Sequence, residues 1–225
     1  MRLKINRALL TRQQYESAAI SPLVSVVHKF TEAGHYKLMV LAGNELNRVG
    51  IIDLEVNENA APSQQNINLE AVAKEKFSKA NLIAFRVHPS KAVVFYASSG
   101  TQQYSVLAYK MDKGEEVRVF DSRQLQEGDF FVANPLASGV YQFSSSSGAK
   151  GELSIKRKVG RALPSQGVVI ECTDKAFSPN KVESEFLQPI FFMIKTKKPV
   201  RISMQFVKRL EENKPRRTVR KKKKK

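Results

Sequence analysis

Short apolar segments, bounded by glycine, proline or small polar residues, recur along most of the chain and are typical of β-strands. Residues 23–30 are rich in β-branched side chains, and Leu153 and Ile155 alternate with polar neighbours as on a strand with one buried face. The Ser/Gly-rich residues 144–151 predict a hairpin turn before that strand. Residues 1–20 fit either a strand or a helical turn. Further strands are predicted at 36–41, 50–56, 82–87, 92–96, 104–109, 116–120, 129–132, 139–143, 168–172, 190–194 and 200–206.

One region departs from the strand pattern. Residues 57–66 are polar and include Pro62, which predicts a linker. Asn68 is a good N-cap for a helix over 68–80. The apolar positions of this helix fall on one face: Leu69, Val72, Ala73, Phe77 and Ala80.

Many short strands, frequent turns and one short helix predict an all-β fold of two β-sandwich domains, cupredoxin-like or immunoglobulin-like and mainly antiparallel. The pattern places a small N-terminal sandwich at 1–60 and a linker with the helix at 61–81. A larger sandwich follows at 82–207, and a basic tail at 208–225 ends the chain.

Two segments of the chain share a pattern. Gly34-His-Tyr36 resembles Gly139-Val-Tyr141, and in each case a turn and a closing strand follow, beginning at Gly50 and at Gly151. The Tyr-to-Gly gap is fourteen residues in one segment and ten in the other. This pattern fits an internal duplication. Independent hairpins that look alike are the alternative.

Two pieces resemble the cupredoxins, the blue-copper β-sandwich family. Phe177-Ser-Pro179-Asn-Lys-Val182, with the apolar strand 190–194 behind it, is similar to the opening strands of that family, and residues 135–155 are similar to its closing hairpin. The opening-like piece follows the closing-like piece, so the order differs from the family's. A blue-copper site needs two imidazoles and a thiolate. The turn at 144–150 has none of these ligands and no histidine follows Cys172, so no copper cofactor is expected.

The charge of the chain is concentrated at its C-terminus. Of the formal net charge of +17, nine positive charges lie in the last twelve residues, and the body carries about +8. Such a run repels itself and is expected to be disordered when free. It suits a polyanion, through release of counterions. An anionic membrane surface, a nuclear import signal and a merely solubilising role are alternatives. The predicted polyanion-binding residues are Lys214, Arg216, Arg217, Arg220, Lys221, Lys222, Lys223, Lys224 and Lys225.

Candidate catalytic and metal-binding residues are few. No nucleophile elbow, phosphate loop or dinucleotide fingerprint occurs in the sequence. His28 and His35 flank a turn and, with Glu32, form a usable set of metal ligands, although no spacing rule selects them. The single cysteine, Cys172, lies in an apolar strand and is expected to be a small buried side chain. His88 precedes a proline and is expected to end a strand.

These observations predict a non-enzymatic structural or assembly protein, without a cofactor, whose sandwiches contact other protein subunits and whose tail binds nucleic acid or another polyanion. The alternative is an interaction module that uses a sandwich surface or an edge strand, with a tail that only solubilises or targets the protein. No signal peptide or transmembrane segment is evident, which favours the cytoplasm or the inside of an assembled particle.

Overall fold

The computed structural model describes residues 7–75, 83–112, 114–157 and 166–210. It has two short helices, Arg7–Leu10 (α1) and Leu69–Lys74 (α2). The strands are β1 Gln14–Glu16, β2 Val24–His28, β3 Gly34–Ala42, β4 Asn47–Val56, β5 Gln65–Asn68, β6 Ile83–Val87, β7 Val93–Tyr96, β8 Tyr104–Asp112, β9 Glu115–Asp121, β10 Phe130–Ala133, β11 Gly139–Ser145, β12 Lys150–Lys156, β13 Val168–Cys172, β14 Phe177–Ser178, β15 Lys181–Glu185, β16 Ile190–Ile194 and β17 Ile202–Lys208.

The strands form three sheets of mixed direction. The central sheet has seven strands in the order β14-β13-β16-β10-β2-β7-β5. The N-side sheet has five, in the order β6-β4-β3-β8-β9, and the C-side sheet has five, in the order β1-β17-β11-β12-β15. Antiparallel pairing of β2 with β10 joins the two halves of the central sheet. We call residues 24–121 the first half and residues 130–208 the second half.

Both five-stranded sheets pack on the same face of the central sheet. Phe143 of β11 contacts Phe192 with ring centroids 5.3 Å apart, and Phe120 of β9 contacts Phe95 at 5.8 Å. Register partners in adjacent strands point to the same side of a sheet. Completely buried register partners connect these two contacts across the central sheet: Phe192, Phe131, Val26 and Phe95. The fold is therefore two layers around one continuous core.

The two halves repeat the same strand connections. In the first half β3 pairs with β4 and β8, β4 lies parallel to β6, and β5 lies parallel to β7. In the second half β11 pairs with β12 and β17, β12 lies parallel to β15, and β13 lies parallel to β16. From β4 to β7 and from β12 to β16 the chain winds between the layers, as in the coils of a β-solenoid. The N-terminal strand β1 pairs with β17 as β9 pairs with β8.

Side chains repeat as well as strands. The hydroxyl of Tyr36 donates to the carbonyl oxygen of Glu32 at 2.7 Å, and that of Tyr141 donates to the carbonyl oxygen of Ala137 at 2.9 Å. Both tyrosines follow the glycine that begins the strand, and each bond reaches back four residues. The segments that share a pattern in the sequence thus occupy equivalent positions in the two halves.

The all-β class is confirmed, and most of the described strand pairs are antiparallel, with four parallel pairs. The sheets do not divide into two separate sandwiches. Strands before residue 60 pair with strands after residue 82, as β3 does with β8 and β4 does with β6. The predicted linker contains β5, since Ile67 is completely buried although its neighbours are polar. Asn68 caps the helix as predicted, with its side chain accepting from the backbone N–H of Glu70. The helix is described only to Lys74, and residues 76–82 lie outside the described ranges.

Candidate functional site

The predicted polyanion-binding residues fall in the part of the chain after residue 210. All nine therefore lie outside the described residues: Lys214, Arg216, Arg217, Arg220, Lys221, Lys222, Lys223, Lys224 and Lys225.

The predicted pair of histidines is not brought together. His28 points toward the core side of β2, where its ring stacks on Phe120 with centroids 4.1 Å apart and its Nδ1 lies 2.6 Å from Oδ1 of buried Asp129. His35 points to the exposed side of β3, and its side chain is 69% exposed. Glu32 forms an ion pair with Lys110 at 2.6 Å instead. Alternation along the strands places the two imidazoles on different surfaces.

Asp129 organises a turn rather than a site for a ligand. Its second carboxylate oxygen accepts from the backbone N–H of Gln126 at 2.8 Å, while its first faces His28. Within the described ranges, no cluster of three or more histidine, cysteine or acidic side chains could hold a metal ion.

Cys172 is a core residue, as predicted. It is completely buried at the end of β13, and burial raises the pKa of its thiol to about 11. Because only the thiolate is a good nucleophile, this cysteine is unreactive near neutral pH.

Three loops meet at one end of the second half. The loop after β13 contacts the loop after β16, because the Thr196 hydroxyl donates to the Asp174 carboxylate and the Lys195 N–H donates to the Cys172 carbonyl. The β11–β12 turn joins them, since Ser146 and Arg201 exchange hydrogen bonds. We call the exposed cations of these loops the basic loop end: Lys175, Lys195, Lys197, Lys198 and Arg201.

The cations of the basic loop end lack counter-charges. Among the described residues, no ion pair includes any of these five side chains. Asp174 is the one acidic residue within the two cationic loops, and it already accepts a hydrogen bond from Thr196. The basic loop end therefore carries a net positive charge that faces solvent.

The equivalent end of the first half is neutralised internally. Its loop between β7 and β8, residues 97–103, has no charged residue. Glu70 accepts from Lys74 at 2.6 Å, from the hydroxyl and N–H of Ser99 at 2.7 and 2.9 Å, and from the Ser98 hydroxyl at 3.1 Å. These donors, Lys74 foremost, lower the pKa of the Glu70 carboxyl to about 2. In the described residues, hydrogen bonds to Glu70 hold this end together, and its β7–β8 loop is uncharged.

A second surface lies on the side of the central sheet that faces away from the core. Most of the side chains that alternate with the buried ones there are apolar and half-buried, and Val169 is 47% exposed. Glu171, the register partner of Met193, and Ser25 are polar residues on the same side. None of the apolar side chains belongs to the hydrophobic core. We call this set the apolar outer face: Val27, Val94, Phe130, Val169, Phe191 and Met193.

The apolar outer face is bordered by cations at one end. Lys29 and Lys195 continue the alternation of Val27 and Met193 just beyond the strands, and both are exposed. Lys195 also belongs to the basic loop end, so the two surfaces are continuous.

The sequence contains a signal for each surface. Residues 195–201 hold four cations, although the basic run of the tail is longer. Strand 190–194 is apolar at every position, which is typical of a strand covered on both sides. Among the described residues, the core covers only one side of this strand.

Comparisons of the chain with family models, curated proteins and solved structures gave no match. In the described part of the chain, no helix has the length and apolar character needed to cross a membrane.

Proposed function

We propose that this chain is a non-enzymatic structural or assembly protein that binds a protein partner and nucleic acid. The protein partner covers the apolar outer face, and the tail at 214–225 binds the nucleic acid. The apolar outer face is the observation that carries the proposal, because a group of neighbouring, partly exposed apolar side chains on a folded protein is typical of an interaction site.

The charges at its border suggest the chemistry of the partner. Lys29 directly follows β2 and Lys195 directly follows β16, and these two strands flank β10 in the central sheet. A partner that presents an apolar surface bordered by carboxylates satisfies both features. A second copy of the chain fits less well, since the described face carries one carboxylate, Glu171, and self-association brings two strongly cationic chains together.

Two synthetic amphipathic helical peptides test the protein contact. Both have a leucine face, which is flanked by glutamates in one peptide and by lysines in the other. We expect the full-length protein to bind the glutamate-flanked peptide in a fluorescence anisotropy titration, and the Phe130→Ser/Phe191→Ser variant to bind it about tenfold more weakly. The matched control is Val117→Ser/Val119→Ser, which removes exposed apolar side chains from β9 instead. Equal binding of both peptides, or equal loss in both variants, contradicts the proposal.

Nucleic-acid binding by the tail has its own test. Replacing the nine tail cations by glutamine in the full-length chain is expected to weaken binding of a 20-base-pair duplex and to lower the dependence of affinity on salt. The alternative, an interaction module with an inert tail, predicts that this variant keeps all of its binding. Co-purification of nucleic acid with the unmodified protein, measured by absorbance at 260 and 280 nm, is the supporting observation.

We also infer that the cupredoxin resemblance reflects architecture rather than metal chemistry. Residues 135–155 include the β11–β12 hairpin, and residues 177–182 include β14 and the start of β15, which lies parallel to β12. The repeated connections of the two halves support duplication of one such unit, with the strand order shifted relative to the family's.

A further inference from the structure

We propose that the basic loop end of the folded body is a second binding site, separate from the tail, for the phosphate backbone of duplex nucleic acid. The inference rests on the proposed function only for the class of ligand. Its residues are Lys175, Lys195, Lys197, Lys198 and Arg201, all of them exposed.

The absence of counter-charges is the first argument. Like charges on neighbouring loops repel one another and destabilise the folded chain. Here the Thr196–Asp174 and Ser146–Arg201 hydrogen bonds hold three loops together although they carry five cations. A bound polyanion removes this repulsion, and the release of its counterions favours binding.

The first half shows that the fold forms without cations in the loop that corresponds to residues 195–201. The fold does not require the cations, because the equivalent loop between β7 and β8 connects equivalent strands without any charge. Asp174 is the counterpart of Glu70, because it accepts from Thr196 across the equivalent pair of loops. Glu70 also forms an ion pair with Lys74, whereas Asp174 forms no ion pair among the described residues. The loop after β16 is therefore cationic, whereas its counterpart in the first half, residues 97–103, is uncharged.

The serine turn next to Arg201 supplies neutral donors. A cleft of about 320 Å³ lies between this turn, Arg201 and the start of β17, and Ser144, Ser146 and Ser203 line it. Hydroxyl, backbone N–H and guanidinium groups are the usual partners of phosphate oxygens. Glu16 is the single carboxylate that lines the cleft, at the β1 side.

The composition of the loops favours a duplex over a single strand. Residues 144–149, 173–176 and 195–201 contain no aromatic side chain. Recognition of single-stranded nucleic acid normally uses aromatic side chains on which bases stack. Contacts to phosphates alone are independent of base sequence, so we expect affinity without sequence preference.

Four full-length variants test this site. The body variant replaces the five cations of the basic loop end by glutamine, the tail variant replaces the nine tail cations, and a third combines both sets. The matched control replaces five cations of the first half by glutamine: Lys37, Arg48, Arg86, Lys91 and Arg118. Each is titrated with a mixed-sequence 20-base-pair DNA duplex from 50 to 200 mM KCl, after its thermal unfolding has been shown to match that of the parent.

The body variant is expected to bind at least about tenfold more weakly at 100 mM KCl, and its salt slope is expected to fall by about 3 to 4, since each phosphate contact contributes about 0.9. The control is expected to change affinity less than about threefold. The tail variant is expected to keep measurable DNA binding, with a salt slope of about 3 to 4 from the basic loop end. The combined variant is expected to lose DNA binding.

Three outcomes overturn the inference. The first is a body variant whose DNA affinity matches that of the control, and the second is a tail variant that no longer binds DNA. The third is a body variant that loses binding to phosphatidylserine vesicles or heparin but keeps its affinity for DNA. Failure of the tail proposal is distinct, because the tail variant then binds like the parent while the body variant does not.

Discussion

The two halves of this protein use the same strand connections but treat their loop ends differently. In the first half, Glu70 collects hydrogen bonds from Ser98, Ser99 and Lys74 and closes the loop end on itself. In the second half, the equivalent loops expose cations to solvent. The same framework thus carries an uncharged β7–β8 loop in one half and a cationic loop after β16 in the other, although each half has a carboxylate that bridges its loops.

Substitutions in the core of the central sheet are expected to have the largest effect on the free energy of unfolding. Phe192 and Phe95 are completely buried on the same face of the central sheet, one in each half. Replacing either with alanine is expected to lower the free energy of unfolding by ~3–5 kcal/mol. Because β2 and β10 join the halves, calorimetry should record one unfolding transition for both variants. Two transitions, of which each variant shifts only one, would show that the halves are independent domains.

Equivalent glycines should tolerate a methyl group differently. Gly139 and Gly34 begin matching strands with φ angles of 157° and 143°. A Cβ on Gly139 would lie 2.3 Å from the Phe206 ring and 2.6 Å from the backbone oxygen of Lys208, whereas one on Gly34 would meet only the flexible end of Lys110 at 3.3 Å. Gly139→Ala is expected to lower the free energy of unfolding by ~3 kcal/mol and Gly34→Ala by ~1 kcal/mol. Denaturant titration of both variants checks this, and equal losses contradict it.

Glu70 should make the first half sensitive to acid. Its pKa of about 2 lies below the ordinary value of 4.5, so its stabilising effect is complete above pH 4.5 and is lost as the pH falls toward 2. Glu70→Gln is expected to cost ~1–3 kcal/mol at pH 7 and to flatten this acid dependence. Thermal unfolding between pH 2 and pH 7 measures both effects. Glu152→Gln, at an exposed glutamate of β12 with no ion pair in the described structure, is the matched control and should change stability less.

The repeated tyrosines should give the smallest and most equal effects. Tyr36→Phe and Tyr141→Phe each remove a hydroxyl that donates to a carbonyl four residues earlier, and each is expected to cost ~1 kcal/mol. The double variant should show the sum, since the residues lie in different sheets. Tyr109→Phe is a control without such a bond in the described structure. If only one of the two substitutions lowers the free energy of unfolding, the equivalent tyrosines do not contribute equally to stability.

Local patterns predicted most of the strands but not their neighbours. Residues 168–172 and 190–194 form strands with the predicted bounds, because apolar runs between turn residues define a strand locally. Strand β5 was missed because Ile67, its completely buried residue, lies among asparagines and glutamines. The candidate surfaces were only partly visible, since the cations at 175 and at 195–201 are separated in the sequence by β14, β15 and β16.

The sequence by itself determined the all-β class, the buried Cys172, the cap at Asn68 and the likeness of Gly34-His-Tyr36 to Gly139-Val-Tyr141, because each depends on residues that are close together in the chain. Only the tertiary structure decided that both halves share one central sheet, that β1 pairs with β17, and that the cationic loops border an apolar face. Pairing between strands nearly two hundred residues apart, such as Gln14 with Gln205, leaves no periodic trace in the sequence.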